Sequence, residues 1–391
     1  MIYPTFKISK PIRLIELFAG YGSQALALKY LGVDFEHWKI CEWAVKSIQA
    51  YKDVHFTNEE FGDTYMTKEQ MVDFLFEKGI SSNYNDPMTR EQINRLSENV
   101  LENIIKNICI THNLVNIQQV SGKDLCITDT DKFTYLLTYS FPCQDLSLAG
   151  KGKGMSDTST RSGMLWEVLR ILKECKELGS LPQVLLMENV IQVHGTDNVE
   201  SFNRFQYELE KLGYKNYWQD LIATDYGIPQ TRNRTFMVSI LGDYNYTFPK
   251  PIPLKLKLKD MLEENVPKKY YLNDSMIKYI VSEDDSYKVN ESKCLINRDT
   301  ACSKTTREGW TRCDTSDYIS EDRGGNYNLK KEMSSPNLKI KNNTKKGYLE
   351  GEVGDGVNIS GRMEYQRGNV QKDKAQSITC GGGEQFRSDS K

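Results

Sequence analysis

The sequence predicts an α/β fold, a mostly parallel sheet layered with helices and followed by a smaller, loop-rich domain. Three observations predict it. Short apolar runs that end in turn residues alternate with stretches whose apolar residues recur at helical spacing, from Ile12 to Leu241. The first strand-to-helix connection carries Gly20 and Gly22, the residue type that lets backbone turn sharply and approach a ligand. At Pro249-Lys250-Pro251-Ile252-Pro253 proline density rises and the alternation stops, which places a domain boundary there.

In chain order, Ile12 to Phe18 reads as a strand, and Ala25, Leu26, Leu28 and Leu31 then follow at helical spacing. Phe35 to Ile40 reads as the next strand, ending at Glu42-Trp43, and Ala44 to Tyr51 as a helix. Residues 52–120 read as an inserted helical subregion, with amphipathic helices over Thr67 to Phe76 and Arg90 to Ile110. A structural cap, a DNA-facing lid or a partner surface are all open roles for it. Strands then fall at Tyr135 to Ser140, Val184 to Val190 and Thr235 to Leu241, separated by helices at Met164 to Leu178 and Phe202 to Leu212. Residues 1–250 form the first domain in this reading, and residues 251–391, richer in Gly, Asn, Ser and Lys, form the second.

With 391 residues, 39% hydrophobic and 10% aromatic, the chain is long and apolar enough for two globular domains. No apolar segment approaches the length that spans a bilayer, and Met1 to Pro11 lacks a signal peptide's apolar core, so the cytoplasm is the expected location and no membrane the expected partner. The nine cysteines include no Cys-x-x-Cys pair and the four histidines no ligand spacing, so neither disulfides nor a metal site are expected. A net charge of -2 does not advertise nucleic-acid binding. Any such contact must be local, at Lys151, Lys153, Arg161, Arg232 with Arg234, or the lysines between Asn328 and Lys346.

Four blocks carry chemistry. Cys143 lies in Ser140-Phe141-Pro142-Cys143-Gln144, just past an apolar strand, where a thiolate reaches a substrate in the crevice above a parallel sheet. Met187-Glu188-Asn189-Val190 closes a second apolar strand, and Gln230-x-Arg232-x-Arg234 opens a third. The fourth is the turn Phe18-Ala19-Gly20-Tyr21-Gly22. Beyond it, Glu42 at a strand end is placed to accept hydrogen bonds from ribose hydroxyls, and Trp43 offers a flat face to an adenine ring. That pocket alone also suits the nicotinamide cofactor of a dehydrogenase. Against it, Ala25 stands near where the dinucleotide fingerprint has its third glycine.

In identity, order and spacing these blocks resemble the C5-cytosine DNA methyltransferases. The resemblance spans most of the first 250 residues and implies a Rossmann-like, S-adenosylmethionine-dependent methyltransferase domain over 1–250 and a target recognition domain over 251–391. It implies that S-adenosylmethionine is held by Phe18, Gly20, Gly22, Glu42, Trp43, Asp124, Leu125, Pro142 and Leu165, with Asp124 and Leu125 at the adenine. Cys143 then adds to C6 of a flipped cytosine, Glu188 serves N3, Asn189 orients the loop, Arg234 binds the base's O2 and Arg232 steadies Glu188 or the DNA backbone. The bulky second domain argues for double-stranded DNA as partner rather than RNA, with Arg298, Arg307, Arg312 and Gln366 as candidate readers of the bases. The chain departs from the family at Ser140, where glycine is common, and at Asp145-Leu146, where Ser-Phe is common; Asp145 raises the pKa of a neighbouring thiol. Ala375 to Gly383 resembles a segment that the family continues into a returning helix and a cofactor-lining loop. The expectation there is a separately encoded C-terminal fragment as partner, or a catalytically impaired DNA-binding remnant.

Overall fold

The computed structural model describes residues 4–142, 162–261 and 266–267, together with the backbone of four short strands in the last third of the chain. Contacts divide the chain into two units. The first comprises Met1–Leu146, Gly152–Asp220 and Thr235–Phe248; the second comprises Ser147–Lys151, Leu221–Arg234 and Pro249–Lys391. The second unit thus takes in Leu221–Arg234, which the proline-rich boundary had left with the first domain.

The first unit is built on a six-stranded sheet. Its elements in chain order begin with β1 (Ile12–Leu17), α1 (Ser23–Tyr30), β2 (Phe35–Cys41) and α2 (Val45–His55). Then come α3 (Lys68–Lys78), α4 (Arg90–Asn94), α5 (Glu98–Ile110), β3 (Thr134–Tyr139) and α6 (Leu165–Glu177). The series ends with β4 (Val184–Asn189), α7 (Val199–Leu212), β5 (Tyr214–Ile222) and β6 (Asn233–Leu241). The strand order is β2-β1-β3-β4-β6-β5. Pairing is parallel from β2 through β1 and β3 to β4, and antiparallel between β4 and β6. The carboxyl ends of β1, β2, β3 and β4 therefore gather along one edge, the edge at which open α/β sheets bind their ligands.

Apolar residues alternate between the two faces of the strands, and each face is covered. Leu137, Tyr139, Leu185 and Met187 pack with Val168, Ile171 and Leu172 of α6 and Phe202, Phe205 and Leu209 of α7. Leu14, Leu136, Val238 and Ile240 pack with Ala25 of α1 on the other. A sheet covered on both faces needs near-continuous apolar strands, and β3, buried at all six positions, is the clearest case.

The region between β2 and β3 has an apolar cluster of its own. Ile48 of α2, Met71, Val72 and Leu75 of α3, and Leu101, Ile104, Ile105 and Ile108 of α5 are buried together. The helix expected over Arg90 to Ile110 is two helices, because the chain leaves helical geometry at Ser97, whose extended backbone (φ -71, ψ 156) starts α5 afresh. The strand β5 was not legible at all. It alternates weakly, carries Lys215, Asn216, Gln219 and Asp220, and lies at the sheet edge, where its middle residues are exposed.

In the second unit the described backbone includes two antiparallel ribbons, β7 (Leu338–Lys341) with β8 (Tyr348–Gly351), and β9 (Gly356–Asn358) with β10 (Asn369–Gln371). Among the described residues no helix is long and apolar enough to cross a membrane.

Candidate active site

The turn after β1 is held in an unusual conformation. Phe18 has φ 58, Gly20 φ 57 and Gly22 φ 82, so three of five residues lie in the left-handed region. The two glycines differ in surroundings. A Cβ added to Gly22 would meet His55 Nε2 at 2.3 Å, whereas one added to Gly20 would meet nothing within 4 Å. Gly22 is glycine so that the turn can pack on α2; Gly20 faces open space above the strand ends.

Glu42, just past β2, reaches across to this turn. Its Oε2 accepts from the Gly20 amide at 2.9 Å and its Oε1 from the Ala44 amide at 2.7 Å. Burial pushes its carboxyl up to about 7, against the pull of the Ala44, Gly20 and Trp43 amides. The backbone of Glu42 is fixed by Asn113, whose Oδ1 accepts from the Glu42 amide at 3.0 Å and whose Nδ2 donates to the Glu42 carbonyl at 2.9 Å. Asn113 was not singled out in the sequence, where it is one polar residue after an apolar helix.

Below the turn, Glu16 is almost fully buried and ties four elements together. Its Oε1 accepts from the Ala25 amide of α1 at 3.2 Å, and its Oε2 from the Tyr51 hydroxyl of α2 at 2.5 Å. Tyr51 also meets His37 Nδ1 of β2 at 2.9 Å. Burial raises the Glu16 carboxyl to about 7, although Tyr51 and Ala25 both favour its charged form. Its role is to satisfy a helix amide that a Gly22 cap, without a side chain, leaves open.

The stretch expected at the adenine is fastened to α6. Arg170 donates to the carbonyls of Ile117 (3.2 Å) and Val120 (2.8 Å), and Glu174 accepts from the Gly122 amide at 2.7 Å. Leu125 is buried, and its carbonyl accepts from the Trp38 indole at 2.9 Å. Leu165 is the buried first residue of the same helix α6. Asp124, by contrast, is exposed and spends Oδ2 on the amide and hydroxyl of Ser121, closing a short 3-10 turn. Burial is the largest single influence and raises its carboxyl, but the hydrogen bonds from Ser121 together with the charges of Lys78 and Lys123 outweigh it, and the net shift is downward. Trp43 is half-buried and packs against the cluster of α2, α3 and α5.

At the ends of β3 and β4, Glu188 and Asn189 meet the segment that leads to Cys143. Ser140 donates its hydroxyl to Glu188 Oε2 at 2.9 Å, and Asn189 Nδ2 donates to the Phe141 carbonyl at 3.0 Å. Ser140 was noted in the sequence only as a departure, and its partner 48 residues away was not foreseen. Pro142 is half-buried at the end of the described stretch. Cys143 itself, with everything to Arg161 and the candidate readers Arg298, Arg307, Arg312 and Gln366, lies outside the described residues. Arg232 and Arg234 belong to the second unit. There the Arg232 carbonyl accepts from Ala223, and Arg234 Nη1 donates to the Asn233 carbonyl at 2.7 Å.

Residues 89–384, well over half of the chain, match the model of the C-5 cytosine-specific DNA methylases. The chain belongs to this family. It is an S-adenosylmethionine-dependent DNA cytosine methyltransferase, and the dehydrogenase reading of the glycine turn falls away. This cytosine methylase is similar to the type II methyltransferase M2.ScrFI of Lactococcus lactis subsp. cremoris, 36% identical over 274 residues that cover 68% of this chain and 71% of the relative. It is similar also to the orphan methyltransferase M.SssI of Spiroplasma monobiae, 35% identical over 311 residues and 77% of each chain. A solved methyltransferase of Entamoeba histolytica, EhMeth, is 15% identical with a TM-score of 0.46 over 76% of this chain and 72% of that one, too slight a likeness to carry weight.

The residues present fit the methyl donor. Open space over Gly20 admits a ligand to the backbone, and a carboxylate has about four acceptor positions, so Glu42 keeps capacity for ribose hydroxyls beyond its bonds to Gly20 and Ala44. Glu42→Ala should weaken S-adenosylmethionine binding by about 1.5 to 3 kcal/mol, the scale of a hydrogen bond to a charged group. The donor's hydroxyls favour the ionised carboxylate, so affinity should fall as pH drops through about 7. Calorimetry across pH checks both effects, and the pH dependence should vanish in Glu42→Gln.

Proposed function

We propose that this methylase acts on cytosines of duplex DNA through a covalent adduct at Cys143, with Glu188 as the acid that serves the base. The observation that supports this most is the pairing of Ser140 with Glu188 and of Asn189 with Phe141. It ties the approach to Cys143 to the strand end that bears the carboxyl group.

C5 of cytosine is a poor nucleophile until another nucleophile adds at C6. Cys143 makes that bond as a thiolate, and the ring electrons move toward N3, where the Glu188 carboxyl donates its proton and stabilises the charge. Asn189 holds Phe141 and thereby the course of the chain toward Cys143. Arg234 is assigned to the base oxygen O2 and Arg232 to Glu188 or the DNA backbone. When bound, S-adenosylmethionine, assigned to Phe18, Gly20, Gly22, Glu42, Trp43, Asp124, Leu125, Pro142 and Leu165, would supply an electrophilic methyl group. Loss of the C5 proton to solvent, departure of Cys143 as the thiolate and return of the N3 proton to Glu188 then restore the aromatic ring. A stacked base is out of reach of this chemistry, so the target cytosine is flipped out of the duplex. Residues 251–391 are assigned to reading the sequence around it.

A duplex in which every cytosine is 5-fluorocytosine has no C5 proton to lose, so the reaction stops at the adduct. Incubated with S-adenosylmethionine, the chain should yield a denaturant-stable complex whose cross-linked peptide contains Cys143. Adduct at another cysteine, or methyl transfer to RNA and not to DNA, would overturn the reading.

A further inference from the structure

We propose that the insertion at residues 52–120 is the device that aims the Glu42 carboxylate at the ribose of the methyl donor, with Asn113 as its positioning residue. The inference rests on the assignment of Glu42 to the ribose hydroxyls, and it gives the insertion a role on the cofactor side.

β2 is an edge strand, and its pairing with β1 ends at Leu17 opposite Cys41. Glu42, the next residue, lies beyond that ladder, yet it is only 8% exposed. A buried amide and carbonyl demand partners, and the insertion supplies them. The Leu114 amide donates to the Ile40 carbonyl at 2.8 Å, which lays the end of the insertion along the outer edge of β2. Asn113 then does with its side chain what a strand does with its backbone, offering one acceptor to the Glu42 amide at 3.0 Å and one donor to the Glu42 carbonyl at 2.9 Å. A third bond fixes which way that amide points. The Val115 amide also donates to Oδ1, at 2.9 Å, and an atom that faces two N–H donors is the oxygen. On either side of Asn113, His112 (φ 50) and Val115 (φ 69) are left-handed, a conformation that a β-branched residue rarely adopts. Such strain persists only where the surroundings over-determine it, and here it bends the chain so that the buried Asn113 lies against Glu42. Another part of the insertion grips the next residues. The Ser81 amide donates to the Trp43 carbonyl at 2.7 Å, and the Ser81 carbonyl accepts from the Val45 amide at 2.9 Å. Between these two grips the backbone at Glu42 is held so that its carboxylate reaches the amides of Gly20 and Ala44 under the open space over Gly20. Without Asn113 two buried backbone groups lose their partners, and the turn they take to find others carries the carboxylate with it.

The test is calorimetry on the full chain with two ligands, S-adenosylhomocysteine and its counterpart whose ribose lacks both hydroxyls. The wild type should prefer the hydroxylated ligand by about 10- to 100-fold, the scale of hydrogen bonds to a charged group. Asn113→Ala should shrink that preference to about threefold or less while leaving the affinity for the other ligand nearly unchanged. Asn113→Asp keeps an acceptor for the Glu42 and Val115 amides, and with it the course of the segment, but sets an oxygen against the Glu42 carbonyl. It should lose preference in the same direction. In a Glu42→Ala background neither change should alter the ratio further, since both act through the one carboxylate. Both ligands are measured on the same preparation, so a fraction that fails to fold leaves the ratio of affinities intact. A wild-type preference in both variants would overturn the proposal, and so would an equal loss of affinity for both ligands, which is what a merely structural role gives. No preference in the wild type, or a preference that survives Glu42→Ala, would instead sink the assignment of Glu42 to the ribose, and the positioning role with it.

Discussion

Cys143→Ala should abolish methyl transfer, lowering the turnover rate by at least about four orders of magnitude, as when the attacking group of a covalent mechanism is removed. The reason is chemical. Without a bond at C6 the ring never becomes electron-rich at C5, and no neighbouring group replaces a thiolate's nucleophilicity. Filter assays with radiolabelled donor and unmethylated plasmid DNA measure the loss. The same variant should bind S-adenosylmethionine as the wild type does, because Gly20, Glu42 and Leu125, the residues proposed to hold it, are fixed by bonds to other parts of the fold. Turnover within tenfold of wild type would remove Cys143 from the mechanism.

Glu188→Gln should slow turnover by about 10²- to 10⁴-fold, the usual contribution of a positioned general acid. Glutamine preserves the shape and the acceptor for Ser140 but cannot give up a proton. The fall should appear in kcat and kcat/KM alike, since N3 needs its proton only as the adduct forms. A variant that raised KM and left kcat intact would mean that Glu188 binds the base without acting on it.

Much of the architecture was legible. The alternation of apolar runs with helical spacing is local, and it places β1, β2, β3, β4, β6 and the helices α1, α6 and α7 within a few residues of their observed bounds. It fails where local pattern and environment part. β5 is polar because an edge strand with exposed middle residues needs no apolar face, and α5 restarts at Ser97 inside one continuous amphipathic pattern. The glycine turn and Glu42 were legible as residue types, but not the way Glu42 is used: its first partners are the amides of Gly20 and Ala44. The packing of the half-buried Trp43 on helices of the insertion and the closing of a short turn by Asp124 were not legible either, because both depend on partners that local pattern does not name.

By itself the sequence determined most of the order of elements and the family, because side-chain periodicity and spaced blocks are properties of short segments. Only the tertiary structure decided which of those groups are neighbours. Gln24 and Ser140 are 116 residues apart, Ser140 and Glu188 48, and Glu42 and Asn113 71. They meet because β1 pairs on one side with β2 and on the other with β3, and β3 with β4. That pairing is selected by the burial of both sheet faces and by backbone hydrogen bonds in register. A shift of one residue would turn Leu137 and Tyr139 away from α6 and α7, at the cost of a buried face, so the register that protects the core is also the one that brings Ser140 to Glu188.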